Sequence, residues 1–270
     1  ANKQNMTNSN RPTLPSHITA LVFDIDRTIT TRRKEFTDRT RQTITKLAQN
    51  KKFNLALCTG RAPVQAREII TVFPQDSIHV FNGGGVIWQN GQILAEELLP
   101  SDLVREIGLA SEELGAEFEF EHDGLVAVSP RKLTNSLPGK YSDASQLYDW
   151  STSLLCLQWI NDDVRRLVQG YDGIEVKEML SEVNGPYFDI TVQGVNKGSG
   201  IKRWSELTGI PLDQVAGFGD SENDLEFLSL VGWPVAMGNS PSAVKRVAKE
   251  VIGDCDEDGV AEYLENNLNL

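Results

Sequence analysis

No stretch of this chain is apolar for long enough to cross a membrane, which takes about 20 consecutive apolar residues. Basic residues are in deficit, with 26 Lys and Arg against 38 Asp and Glu, leaving a formal net charge of −12. That balance argues against a nucleic-acid backbone or an anionic membrane surface as a partner, and any anion site must be built locally. Cysteine is scarce: Cys58, Cys156 and Cys255 are scattered, odd in number and without metal-ligand spacing. A disulfide framework or a zinc site does not fit, and three reduced thiols in a reducing compartment, the cytoplasm, are expected. Residues 1–16 are polar, lack the apolar core of a signal peptide and read as a disordered leader.

What is present is ordinary for a globular protein: 270 residues, 40% hydrophobic and 24% charged, enough for one large or two moderate domains. The organising stretch is ALVFDIDRTIT, residues 20–30. Its apolar start reads as a buried strand that ends in two carboxylates, Asp24 and Asp26. Alternation along an extended chain puts both on one side, with Ile25 facing the other way. Like charges held that close are costly unless a cation sits between them or one takes a proton, and Mg2+ is a hard cation that prefers such oxygen ligands. Thr28 adds a hydroxyl that can turn the chain. A helix cap or solvated turn after an ordinary strand is the plainer alternative.

Downstream, Thr37 caps an expected helix to about Asn50. A short strand, Phe53 to Cys58, ends in Thr59-Gly60-Arg61-Ala-Pro63, which suits a phosphate seat at a helix start or simply a capped turn. A strand from Ser77 to Phe81 leads into Asn82, Gly83 and two more glycines, fit for a turn, a close backbone approach or a hinge. Residues 86–94 read as a hairpin turning at Asn90-Gly91. From about 87 to 186 the texture becomes α+β, too long for a loop; its aromatics Tyr148, Trp150 and Trp159 are expected in its core. The βα alternation resumes with a strand at 187–192 and a helix opened by Lys197. A strand at 215–220 ends in Asp220, followed by Asn223 and Asp224, with Asp220 and Asp224 one helical turn apart. The expected fold is α/β: a doubly wound, mostly parallel, Rossmann-like core at 17–86 and 187–270, carrying an inserted α+β cap at 87–186. Ligands in such sheets gather at the carboxyl ends of the strands.

DIDRT, CTGR, NKG and GDSEND occur in the order found in the haloacid dehalogenase superfamily of phosphatases, which the chain resembles from about Ile18 to Glu265. The insertion matches in placement the class with a large α+β cap (class IIB), and the ending VAMGNSPSAVKRVAKEV resembles the Cof-type subfamily. The resemblance implies Asp24 as nucleophile and Asp26 as acid and base. It implies Mg2+ held by Asp24, the Asp26 carbonyl and Asp220, with Asp224 in support. Thr59, Gly60, Lys197 and Asn223 would hold phosphate, with the Ile25 amide nearby. Arg27 stands where many relatives have glycine and would touch substrate or cap, or point to solvent. Arg61 is a further candidate, as are Asn82 and Gly83, which lie in a loop richer in glycine than usual. The implied partner is a small phosphorylated metabolite, a sugar phosphate at family level, bound by a monomer or homodimer whose cap selects the leaving group. A phosphomutase or phosphotransferase, a non-catalytic sensor and a receiver-like regulator are the competing readings. The intact acidic set argues against the sensor, and the large cap against the receiver.

Overall fold

The computed structural model describes residues 14–134, 141–181 and 185–268. Most of the expected leader, residues 1–13, and the Pro138-Gly139 part of the polar stretch lie outside the described residues.

The first strand, β1 (Ala20–Phe23), is buried along its whole length. It lies between β2 (Asn54–Leu57) and β12 (Val215–Gly219), and the sheet continues through β13 (Trp233–Ala236) to β14 (Glu250–Val251), every pairing parallel. Parallel sheets need cover on both faces, and the residues divide accordingly. Leu21, Phe23, Leu57 and Phe218 pack with Ile44 and Leu47 of α1 (Asp38–Asn50) and with Tyr263 and Leu264 of α9 (Gly259–Leu268). Val22, Ala56 and Val215 pack on the other face with Ile201 and Trp204 of α6 (Lys197–Thr208) and Phe227 of α7 (Leu225–Leu228). The Thr37 hydroxyl accepts from the Thr40 amide at 3.2 Å, capping α1 as its position predicts.

Phe23 pairs with both Leu57 and Phe218. That register brings Asp24, Cys58-Thr59 and Gly219-Asp220 out at one edge, where the chain leaves β1 between its two neighbours. This edge is the switch point of the sheet, the place where doubly wound folds bind ligands.

The inserted region builds a six-stranded sheet. Its order is β10 (Ile174–Ser181), β11 (Gly185–Val192), β9 (Leu155–Gln158), β6 (Glu117–His122), β7 (Leu125–Val128), β8 (Ser142–Asp143). Phe118, Phe120, Leu155, Leu157, Phe188 and Ile190 face a separate core with Trp150 and the helices α3 (Ser101–Glu113) and α5 (Asp162–Val168). The alternate positions make a polar face, because direct partners across an antiparallel pair share a side. Glu119, Cys156, Asp189 and Lys177 form one row across it, and Glu117, Gln158 and Tyr187 the next.

Three expectations change. The strand at 187–192, assigned to the core, pairs into the cap sheet, as its one-sided alternation Tyr187, Asp189, Thr191 against Phe188, Ile190 requires. The hairpin of β4 (Val86–Gln89) and β5 (Gln92–Glu96), placed at the start of the cap, joins β3 (His79–Phe81), and Val86 and Ile87 enter the two core-sheet clusters. Of the three cap aromatics, only Trp150 is buried; Trp159 is 51% and Tyr148 99% exposed.

Candidate active site

At the switch point the Lys197 ammonium sits between two carboxylates, 2.7 Å from Asp24 Oδ1 and 2.6 Å from Asp224 Oδ1, and all three side chains are buried. Each is placed by its element. Asp24 is the first residue beyond β1. Lys197 opens α6 under the cap of Asn196, whose side chain accepts from the Ser199 amide. Asp224 closes the tight turn after β12, its Oδ2 accepting from the amides of Asp220 at 2.9 Å and Ser221 at 3.0 Å. Both oxygens of Asp224 are thus engaged within the chain.

The electrostatics are unbalanced. Asp24, Asp220 and Asp224 each bring an oxygen within 4.8 Å of the other two. Burial, partly offset by Lys197 and reinforced by Asp224 and Asp26, pushes the Asp24 carboxyl up to about 7. Burial, together with Asp224 and Asp24, pushes Asp220 up to about 8 despite Arg27 and Lys197. For Lys197, burial alone would lower the pKa, but Asp224 and Asp24 outweigh it and raise the pKa well above the ordinary range. A buried oxygen cluster short of positive charge fits a hard divalent cation.

Asp26 is placed differently. The strand ends at Phe23 and the chain turns tightly through Ile25–Ile29, with Arg27 at φ +61°, so strand alternation does not extend to Asp26. Its carboxylate opens on the cleft under the cap and receives two bonds from Arg61, Nε to Oδ2 at 2.8 Å and a terminal nitrogen to Oδ1 at 2.7 Å. Burial would raise Asp26, but the Arg61 bonds prevail and hold it below the usual carboxylate value. Arg27, expected on substrate, cap or solvent, instead brings Nε to 3.6 Å from Asp220 Oδ2.

The remaining candidates divide. Thr59 Oγ1 accepts from the Arg61 amide at 3.2 Å, and an added Cβ on Gly60 would lie 3.8 Å from Asp189 Oδ2. Asn223 accepts from the Ser221 hydroxyl and lines a small cavity with Lys197 and Gly83. Ile25 is buried, its carbonyl accepting from the Thr30 amide and hydroxyl, and the Thr28 hydroxyl is buried beside it. Asn82 donates to Ser153 Oγ at 2.6 Å. The glycine loop makes its close approach to the chain's own α6: a Cβ on Gly84 would fall 2.0 Å from the Asn196 carbonyl oxygen.

Two residues escaped the sequence reading. Asn239 donates to the Arg27 carbonyl at 3.0 Å and to Asp220 Oδ2 at 3.4 Å, while its Oδ1 accepts from the Cys255 amide. It follows β13 as Asp24 follows β1, and the strand-end logic applied to the acids would have found it. Asp189 of the cap sheet approaches Gly60, and burial followed by the Glu119 charge pushes it up to about 7. Its signal was a lone acid on the polar side of an alternating strand.

The model of the haloacid dehalogenase-like hydrolases matches residues 21–264. The chain is 27% identical to the protein YkrA of Bacillus subtilis (strain 168) over 260 residues, 93% of this chain and 97% of that protein. It is 27% identical to a phosphoglycolate phosphatase of Methanothermobacter thermautotrophicus over 243 residues, 90% of this chain and 96% of that one. A haloacid dehalogenase-like hydrolase from Bacteroides thetaiotaomicron shares the fold at a TM-score of 0.75 with 22% identity, covering 92% of this chain and 99% of that chain. The chain belongs to the haloacid dehalogenase-like hydrolases, as a phosphatase of the Cof type that its motifs resemble.

Proposed function

We propose that this site hydrolyses phosphomonoesters of small metabolites, sugar phosphates among them, in the cytoplasm, with Mg2+ as cofactor and a phosphorylated Asp24 as intermediate. The observation that carries the reading is the buried Lys197 bridging Asp24 and Asp224 beside Asp220, at the carboxyl ends of the parallel strands. Asp24, Asp220 and the Asp26 carbonyl would hold Mg2+, which supplies charge neutralisation for the transferring phosphoryl group.

The chain's own groups supply the rest. Lys197 engages Asp24 Oδ1, which fixes the carboxylate and leaves Oδ2 as the nucleophile. Oδ2 attacks phosphorus in line, the ester P–O bond breaks, and an acyl phosphate forms on Asp24. The departing oxygen takes its proton from Asp26; Asp26 then removes a proton from water, which attacks phosphorus and returns Asp24 as carboxylate with free phosphate. Held by Arg61, Asp26 is ionised, so it must be protonated before the first step. A substrate phosphate competes for the Arg61 guanidinium, frees Asp26 and restores its proton affinity. Thr59, the Gly60 and Ile25 amides, Asn223 and Lys197 surround the phosphoryl oxygens.

Phosphate release from a panel of sugar, nucleotide and cofactor phosphates, with and without chelator, tests the assignment. Asp24→Asn is expected to lower turnover by at least about a thousandfold while the protein stays folded. Turnover that survives both the substitution and the chelator would refute it.

A further inference from the structure

The cleft between core and cap has a volume of about 1010 Å3, the upper end of what small-molecule sites occupy. Asp26 and Arg61 line it from the core, and Glu119, Lys132, Gln158 and Trp159 line it from the cap. Phosphoryl transfer requires none of these four cap residues.

Trp159 is anomalous twice. It is 51% exposed, and its φ is +59°, a left-handed backbone that a bulky side chain adopts only under strain. The two facts share a cause. Along β9, Leu155 and Leu157 face the cap core while Cys156 and Gln158 face the other way. Continued alternation would send Trp159 inward after Leu157. The left-handed turn ends the strand and leaves the indole lining the cleft beside Gln158. Strain of this kind persists where surrounding structure maintains it, and it concentrates at ligand sites.

Next to the indole stands a hydrogen-bonded polar group. The Lys132 ammonium donates to Gln158 Oε1 at 3.0 Å and to the Glu119 carboxylate, and it lies 5.6 Å from the Tyr141 ring centroid. Lys132 is held by its own neighbours, so its charge is compensated and the group offers a carboxylate and an amide as a fixed pattern of hydrogen-bonding atoms. A flat apolar surface beside such a pattern matches a ring with an apolar face and a polar rim.

We propose that Trp159 is the stacking platform for a ring-bearing leaving group whose rim is read by Glu119, Lys132 and Gln158. The proposal rests on the phosphatase reading and narrows its substrate class. A sugar ring, presenting C–H bonds to the indole, and a heteroaromatic ring, presenting its π face, share this chemistry.

The test is steady-state kinetics of the full chain with Mg2+ on three probes: glucose 6-phosphate, pyridoxal 5′-phosphate and acyclic glycerol 3-phosphate. Trp159→Ala and Trp159→Phe are compared with wild type. Trp159→Ala should raise KM for the preferred ring ester roughly fivefold to tenfold with kcat changed by less than about twofold, the signature of lost uniform binding. Trp159→Phe should retain most of the affinity, and glycerol 3-phosphate should be indifferent to both. A KM effect on glucose 6-phosphate alone identifies the sugar ring; one on pyridoxal 5′-phosphate alone identifies the heteroaromatic ring. An unchanged KM for ring esters, or an equal rise for the acyclic one, overturns the proposal and leaves the phosphatase reading intact. Calorimetric binding of the same esters to Asp24→Asn, with and without Trp159→Ala, reads the platform independently of turnover. If wild type hydrolyses nothing, ring-ester binding that Trp159→Ala weakens still supports the platform, and absence of such binding overturns it.

Discussion

Asp24, Asp220 and Asp224 crowd three carboxylates around one ammonium in a buried pocket, and that imbalance makes the site's charge depend on pH. Asp24 and Asp220 have carboxyls lifted to about 7 and about 8, so the unfolded chain ionises first and folding takes up protons. The stability these groups contribute is therefore present at low pH and lost as pH rises from about 4 through 7 to 8. Asp26 is lowered and acts in the opposite sense, but its contribution is lost only as pH falls below the ordinary carboxylate range. A cation that replaces the protons removes the first loss. The metal-free protein should melt at lower temperature at pH 8 than at pH 6 over this window, and Mg2+ should raise the midpoint more at pH 8. Calorimetric melts with and without chelator check this; a Mg2+ shift independent of pH would contradict it. At this scale the acids and Lys197 were legible because each follows a strand or opens a helix. The attachment of Arg27 to Asp220 was not, because it depends on a left-handed turn that the sequence alone does not specify.

Among elements, α6 matters most, since it carries Lys197 into the site. Its start is pressed against the loop after β3, where Gly84 has φ +107° and no room for a Cβ. Gly84→Ala would strain the backbone and push on the Asn196 carbonyl one residue before Lys197. It should destabilise the fold by about 3 kcal/mol and lower turnover by more than about tenfold. Urea denaturation beside kcat measures both, and an unaffected kcat would show that the loop does not position Lys197. The glycine run was read as a turn, a close approach or a hinge; the choice among these, and the helix it approaches, were not legible, because the sequence does not tell a ligand from a neighbouring helix. The same limit applies to 187–192. Its alternation was visible, but the sheet it joins depends on long-range pairing with β9 and β10.

Over the whole molecule, the βα alternation and its interruption pointed to an α/β core with an α+β insertion, and the strand ends pointed to the sheet edge where Asp24, Lys197 and Asp220 gather. Hydrophobic periodicity records which face is buried and leaves the partner open. The hairpin at 86–96 was therefore assigned to the cap, although it packs on the core, and Trp159 was read as core although its turn brings it to the cleft. The parts meet across polar contacts: Lys177 of the cap sheet pairs with Glu226 of α7, and Asn82 donates to Ser153. Among the described residues no helix is long and apolar enough to cross a membrane. On the proposed mechanism, phosphate passes through Asp24. Rapid quenching of Asp26→Asn with 32P-labelled 4-nitrophenyl phosphate, whose phenolate leaves without needing the Asp26 proton, followed by peptide mapping, gives the sharpest test. Label on Asp24 should approach one per chain, since the variant lacks the base for the second step, and none should appear when Asp24→Asn is added. Release of phosphate without label on Asp24 would contradict it.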